Sequence, residues 1–135
     1  MAKRKSPCYC INLRRAASSI TALYDEILAP TGLSTTQFSL LGGLQSLGES
    51  TITQLADHVG LERTTLTRTL RPLMEQGLVQ DLSVPGARNR ILSLTELGQQ
   101  TLKQGLPLWR QAQTEVEQRL GKEWVKWLYE LADKI

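Results

Sequence analysis

Apolar residues at Leu13, Ala17, Ile20, Tyr24, Ile27 and Leu28 form one stripe at helical spacing, so a long helix is expected after Pro7. Pro30 and Gly32 end it. Ser34-Thr35-Thr36-Gln37 then reads as a capping box, in which the serine hydroxyl accepts from the Gln37 amide while the glutamine side chain reaches back. The helix it opens carries Phe38, Leu40, Leu41 and Leu44 and runs to Gly48. A second box, Thr51-x-x-Gln54, opens a short helix holding Leu55, Ala56 and Val59. Gly60 breaks the chain in a turn with positive φ, and a further helix is expected from about Glu62 to Gln76, stopping at Gly77.

After Gly77 the period changes. Leu78-Val79-Gln80-Asp81-Leu82 and Arg90-Ile91-Leu92-Ser93-Leu94 are short and β-branched or alternating, and residues 84–89 separate them, which reads as a hairpin with an exposed tip. Thr95 caps a long helix with apolar positions Leu102, Leu106, Trp109, Ala112, Val116 and Leu120. Pro107 interrupts this helix and is expected to bend it by removing a backbone donor. Gly121 sets off a last helix carrying Trp124, Trp127, Leu128 and Leu131. The chain shows no internal repeat and no low-complexity tract.

Helix, glycine turn, helix and hairpin, spanning Thr51 to Leu94, is the plan of a winged helix-turn-helix. Placing Leu66, Leu70, Leu73 and Met74 inward at 100° per residue puts Thr64, Arg68 and Arg71 on the opposite side, with Thr65 flanking. Short hydroxyls and arginines on a free helix face suit the major groove. Threonine meets base edges or the thymine methyl, and arginine pairs bidentately with guanine. The competing reading is a merely solvated face of an amphipathic helix; the turn and the hairpin weigh against it.

Charge sharpens this picture. The 135 residues carry a net charge of +3, from 16 Lys and Arg against 13 Asp and Glu. Residues 1–15 hold five basic groups and no acid, residues 16–60 hold four acids and no base, and residues 61–90 hold five arginines against three acids. Such concentration is expected of a protein that meets a polyanion on one face. At 41% hydrophobic and 21% charged the chain reads as a globular protein of one domain. No apolar run approaches the roughly 18 residues of a membrane span, so no membrane is expected among its partners. No apolar stretch follows the basic start, so no secretory signal is expected and the cytoplasm is the default compartment. An enzyme would need a nucleophile–base pair, a phosphate loop or a metal spacing, and none stands out. No cofactor or metal is expected, and His58 reads as a solvated side chain.

These residues resemble the MarR (multiple antibiotic resistance regulator) family of winged-helix transcription factors. The likeness rests on residues 32–41 (Gly-Leu-Ser-Thr-Thr-Gln-Phe-Ser-Leu-Leu) and on Ile52-Thr53-Gln54-Leu55-Ala56. It rests also on Leu73-x-x-x-Gly77-Leu78-Val79 and on Leu92-Ser93-Leu94-Thr95-x-x-Gly98. The family's wing usually reads Asp-x-Arg before its last strand; Arg88 falls on that arginine, while Gly86 stands where the aspartate belongs. The resemblance implies a mainly α fold with a small β-hairpin wing, a winged helix-turn-helix flanked by N- and C-terminal dimerisation helices. Over 1–135 it implies one MarR-like domain, with 34–95 as the DNA-binding lobe and 8–29 and 96–135 as the dimerisation helices. It also implies a homodimer on double-stranded DNA with a pseudo-palindromic operator, a repressor in character. Release would come from a small phenolic or aromatic ligand between lobe and dimer helices, or from cysteine oxidation. The DNA-contacting candidates are Arg63, Thr64, Thr65, Arg68, Arg71, Arg88 and Arg90.

The terminal segments support the dimer from the residues themselves. Both carry apolar stripes, and all three tryptophans (Trp109, Trp124, Trp127) lie in the last 27 residues, more surface than one subunit readily covers. Ordinary core packing within one chain is the other reading. Cys8 and Cys10 open the first helix, where a helix N-terminus favours thiolate, so both are redox candidates; two inert reduced thiols are the alternative. A winged-helix protein-interaction module that never touches DNA is the remaining function class. The arginines at 63, 68, 71, 88 and 90 weigh against it.

Overall fold

The computed structural model describes residues 5–134. They divide into two compact units: Leu28–Leu106, and the described parts of Met1–Ile27 and Pro107–Ile135. The chain runs α1 (Tyr9–Leu28), a 3-10 turn (Ala29–Thr31), α2 (Thr35–Leu47), β1 (Ser50–Thr51), α3 (Ile52–Val59) and α4 (Arg63–Glu75). It continues through β2 (Val79–Asp81), β3 (Ile91–Leu94), α5 (Glu96–Leu120) and α6 (Lys122–Lys134). The result is mainly helical with a small sheet, the fold class the pattern implied.

Both capping boxes form. Ser34 Oγ accepts from the Gln37 amide at 3.2 Å, and Gln37 Oε1 accepts from the Ser34 amide at 2.9 Å. Thr51 and Gln54 repeat the exchange at 3.2 and 2.9 Å. Each box satisfies two N–H groups that a helix start leaves open, which fixes where α2 and α3 begin. Between α3 and α4 the chain turns at Gly60, with φ of +72° as expected.

The core of the first unit is built on leucine. Leu40, Leu41, Leu44, Leu55, Leu66, Leu70, Leu73 and Leu92 are fully buried, so α2, α3, α4 and the central strand share one apolar interior. Burying each such side chain contributes about 1.5–3 kcal/mol, and the run of them holds α4 against the lobe.

One element differs from the sequence expectation. The sheet has three strands in the order β1-β3-β2, all antiparallel, with Ser50 opposite Leu92 and Val79 opposite Leu94. Two residues carry no readable period, so β1 exists only because β3 offers a free edge. Pro107 stands inside α5, which is continuous from Glu96 to Leu120. The missing amide forfeits a single rung of the ladder, which neighbouring turns tolerate. Pro107 is also where the second unit resumes.

Within that second unit the Tyr24 hydroxyl donates to Gln113 Oε1. Burial pushes the Tyr24 phenol above its usual range, and the nearby Glu117 and Tyr129 add to the effect. Its remaining apolar surface is largely open. Trp124, Trp127, Leu128 and Tyr129 of α6 are exposed, and the Trp124 and Trp127 rings meet edge to face at 5.6 Å. Among the described residues, no helix is long and apolar enough to cross a membrane.

Candidate nucleic-acid interface

Helix α4 owes its orientation to Leu66, Leu70 and Leu73, all buried at 1% exposure or less. At 100° per residue, Thr64, Arg68 and Arg71 point away from that seam, and all three are exposed. Arg63 and Thr67, also exposed, flank one side, and the half-buried Thr65 flanks the other. The N-cap Glu62 makes no side-chain hydrogen bond to the helix, so the first-turn amides have no side-chain cap. A helix start of this kind presents N–H groups to anions.

The threonines are conditioned by their helix. Thr67 Oγ donates to the Arg63 carbonyl at 2.9 Å, and Thr69 Oγ donates to the Thr65 carbonyl at 2.8 Å. This back-bonding uses the hydroxyl proton and leaves Thr67 with its methyl and its oxygen lone pairs outward. Thr67 was not among the residues singled out from sequence. Its position three residues after Thr64 on the same side of the helix was the available signal.

The wing is built on β2 and β3. The Leu82 amide donates to the Ile91 carbonyl at 2.7 Å, carrying the ladder one step beyond Asp81. At the tip the Ala87 amide donates to the Val84 carbonyl at 3.0 Å, and Gly86 takes a φ of +80°. Proline followed by a positive-φ glycine is the signature of a type II turn, and L side chains rarely adopt that φ. This is a physical reason for glycine rather than aspartate at position 86. Arg88 follows, exposed.

Arg90 is differently placed from the other candidate arginines. Its Nε donates to Asp81 Oδ2 at 2.8 Å, and Nη2 lies 3.3 Å from Met74 Sδ. Asp81 Oδ1 accepts from the Ser83 amide at 2.9 Å and from the Ser83 hydroxyl at 2.5 Å. The Ser83 hydroxyl, the Arg90 guanidinium and the Ser83 amide together hold the Asp81 carboxyl down from 3.8 to about 2. Sequence reasoning passed over Asp81 and Ser83. Asp81 faces Leu92 across the ladder, so Arg90 is its diagonal neighbour, a relation visible only once the register is known.

The cysteines belong to the second unit. Cys8 precedes α1 and Cys10 lies in its first turn; both are exposed free thiols. The Cys8 amide donates to Ser6 Oγ at 3.1 Å, and Asn12 Nδ2 donates to the Ser6 carbonyl at 2.7 Å, which ties down the helix start. His58 is exposed in the last turn of α3. Among the described residues, no group of three or more His, Cys, Asp or Glu could hold a metal ion.

The same arrangement recurs in solved structures. The M. tuberculosis transcriptional regulator MosR, crystallised in complex with DNA, is 39% identical and aligns over 93% of this chain and 92% of that one, with a TM-score of 0.83. A second crystal structure of MosR aligns over 95% and 93% at 38% identity, with a TM-score of 0.80. The HTH-type transcriptional regulator YwoH of Bacillus subtilis is 31% identical over 84 residues, 62% of this chain and 61% of YwoH, so that match spans less than two thirds of the relative. The MarR family model matches residues 33–85, from the residue before the α2 cap to the wing tip. With that pattern over the lobe and the MosR likeness along nearly its whole length, the chain belongs to the MarR family.

Proposed function

We propose that this chain is a DNA-binding transcriptional regulator that acts as a homodimer on a pseudo-palindromic operator. The observation that carries the reading is the outward face of α4, where Thr64, Arg68 and Arg71 stand opposite three buried leucines. The lobe at 34–95 provides the DNA contacts and the helices at 8–29 and 96–135 provide the dimer. Recognition helices of a dimer then enter successive major grooves about 34–36 Å apart. The open apolar surface of α6 supports the dimer, since a lone chain rarely leaves so many large aromatic residues in water.

Arg63, Thr64, Thr65, Arg68 and Arg71 serve the major groove and its flanking phosphates, and Arg88 serves the minor groove or the backbone from the wing. The regulator acts in the cytoplasm as a repressor. A small phenolic or aromatic ligand, or oxidation at Cys8 or Cys10, releases it. MosR, the relative crystallised with DNA, supports duplex DNA as the partner.

Selection of bound duplexes from a random pool tests the reading directly, because site, symmetry and half-site spacing emerge together. On the selected operator, Arg68→Ala should cost about 1–3 kcal/mol and relax preference at one position per half-site. Arg88→Ala should weaken operator and scrambled duplex together and reduce the salt slope. A pool that yields no enriched duplex would sink the proposal. A base-by-base change from Arg88→Ala, with none from Arg68→Ala, would exchange the two roles.

A further inference from the structure

Residues 78–94 contain two cations, Arg88 and Arg90, and one acid, Asp81. Both Asp81 oxygens are engaged, Oδ1 by Ser83 and Oδ2 by Arg90, and the Arg90 side chain is half-buried against Met74 of α4. The wing tip is separately fixed by its Val84–Ala87 turn, with Val84 and Pro85 exposed. A carboxylate at the end of β2 therefore cross-links that strand to Ser83, two residues further on, and to Arg90, the residue before β3. No carboxylate is present at the tip.

We propose that Asp81 is a positioning residue for DNA recognition: by clasping Arg90 and Ser83 it sets the wing before DNA arrives and leaves Arg88 as the wing's single DNA-contacting cation. This rests on the DNA-binding reading above and refines it. Two consequences distinguish a clasp from a bystander ion pair. First, an acid beside DNA repels phosphate, so removing it for electrostatic reasons alone should strengthen binding to every duplex. Removing a clasp has the opposite effect on the operator, because a loosened wing loses its register while the freed Arg90 gains reach to any phosphate. Second, Arg90 held in the stem contributes no counterion release, so its neutralisation leaves the salt slope unchanged, unlike that of Arg88.

The test uses the full chain and four variants: Asp81→Ala, Arg90→Gln, Arg88→Ala and the exchanged pair Asp81→Arg with Arg90→Asp. Operator and scrambled duplex are titrated at several salt concentrations. Amide hydrogen exchange over 82–90 is followed in the free protein. Asp81→Ala should lower the operator-to-scrambled affinity ratio about tenfold and accelerate exchange at Ser83, whose amide Asp81 holds. Arg90→Gln should lower the ratio in the same way at unchanged slope, and the exchanged pair should recover most of it. Equal strengthening on both duplexes by Asp81→Ala would overturn the proposal, as would a slope reduced by Arg90→Gln as much as by Arg88→Ala. An unaltered ratio with faster exchange would mean that the clasp orders the wing without positioning it for DNA, which also overturns it. A parent chain that binds neither duplex refutes the DNA-binding reading itself and the positioning role with it. The exchange data still report whether the clasp orders the free wing.

Discussion

Gly98→Ala is the most exacting test of how the winged lobe is assembled. Gly98 lies in the first turn of α5, where a Cβ would overlap the backbone carbonyl oxygen of Leu78 and stand 3.2 Å from Leu94 Cδ2. The obstacle is main chain, so no rotamer change relieves it; the start of α5 must withdraw from the start of β2. Three hydrogen bonds meet at that junction. Thr95 Oγ accepts from the Gly98 amide at 3.0 Å and donates to the Gly77 carbonyl at 2.5 Å, while the Thr95 amide donates to the Leu78 carbonyl at 3.1 Å. Overpacking costs about 1–3 kcal/mol. Losing the two bonds to residues 77 and 78 adds about 1 kcal/mol each. The helical preference of alanine over glycine returns at most about 1 kcal/mol. The net expectation is a loss of about 2–4 kcal/mol, taking the bonds as weakened or broken together. Urea unfolding followed by far-UV circular dichroism measures it, at one fixed protein concentration because assembly into the proposed dimer would add to stability. Gly42→Ala is the matched control, because Gly42 is also helical and no heavy atom lies within 4 Å of the added Cβ. It should gain about 0.5–1 kcal/mol. A Gly98→Ala protein as stable as its parent would refute the close approach.

Removing residues 122–135 should convert a dimer at micromolar concentration into monomer or aggregate in sedimentation; a folded, DNA-binding monomer would rule out a dimer built on the terminal helices. Peroxide should weaken operator binding in the parent and have no effect on the double variant Cys8→Ser with Cys10→Ser; equal losses in both would make the thiols bystanders. Asp81 titrates at about 2 when folded against 3.8 otherwise, so its bonds stabilise the lobe above about pH 4 and that contribution is lost as pH falls from 3.8 towards 2. Asp81→Asn should accordingly cost roughly 1 kcal/mol at pH 7, after screening of a partly exposed pair, and almost nothing at pH 2. A cost independent of pH would assign the loss to packing.

The sequence by itself determined the helices and their starts. Ser34 with Gln37, and Thr51 with Gln54, are local pairs three residues apart, and their hydrogen bonds form within a single helical turn. The buried seam of α4 followed from the spacing of Leu66, Leu70 and Leu73, and that seam put Thr64, Arg68 and Arg71 outside. Neither β1 nor the partner of Arg90 could be read this way. Ser50 and Thr51 become a strand through Leu92 and Ile91, some forty residues later, and Asp81 reaches Arg90 only when the hairpin register sets them diagonal. Gly98 belongs with these: its lack of a side chain matters because of the Leu78 carbonyl, not because of its own φ. Helix periodicity and capping are encoded within a few consecutive residues, where the chain's own geometry fixes who meets whom. Contacts across the sheet depend on which strands pair and in what register, and burial of the leucine core fixes that only for the folded chain as a whole.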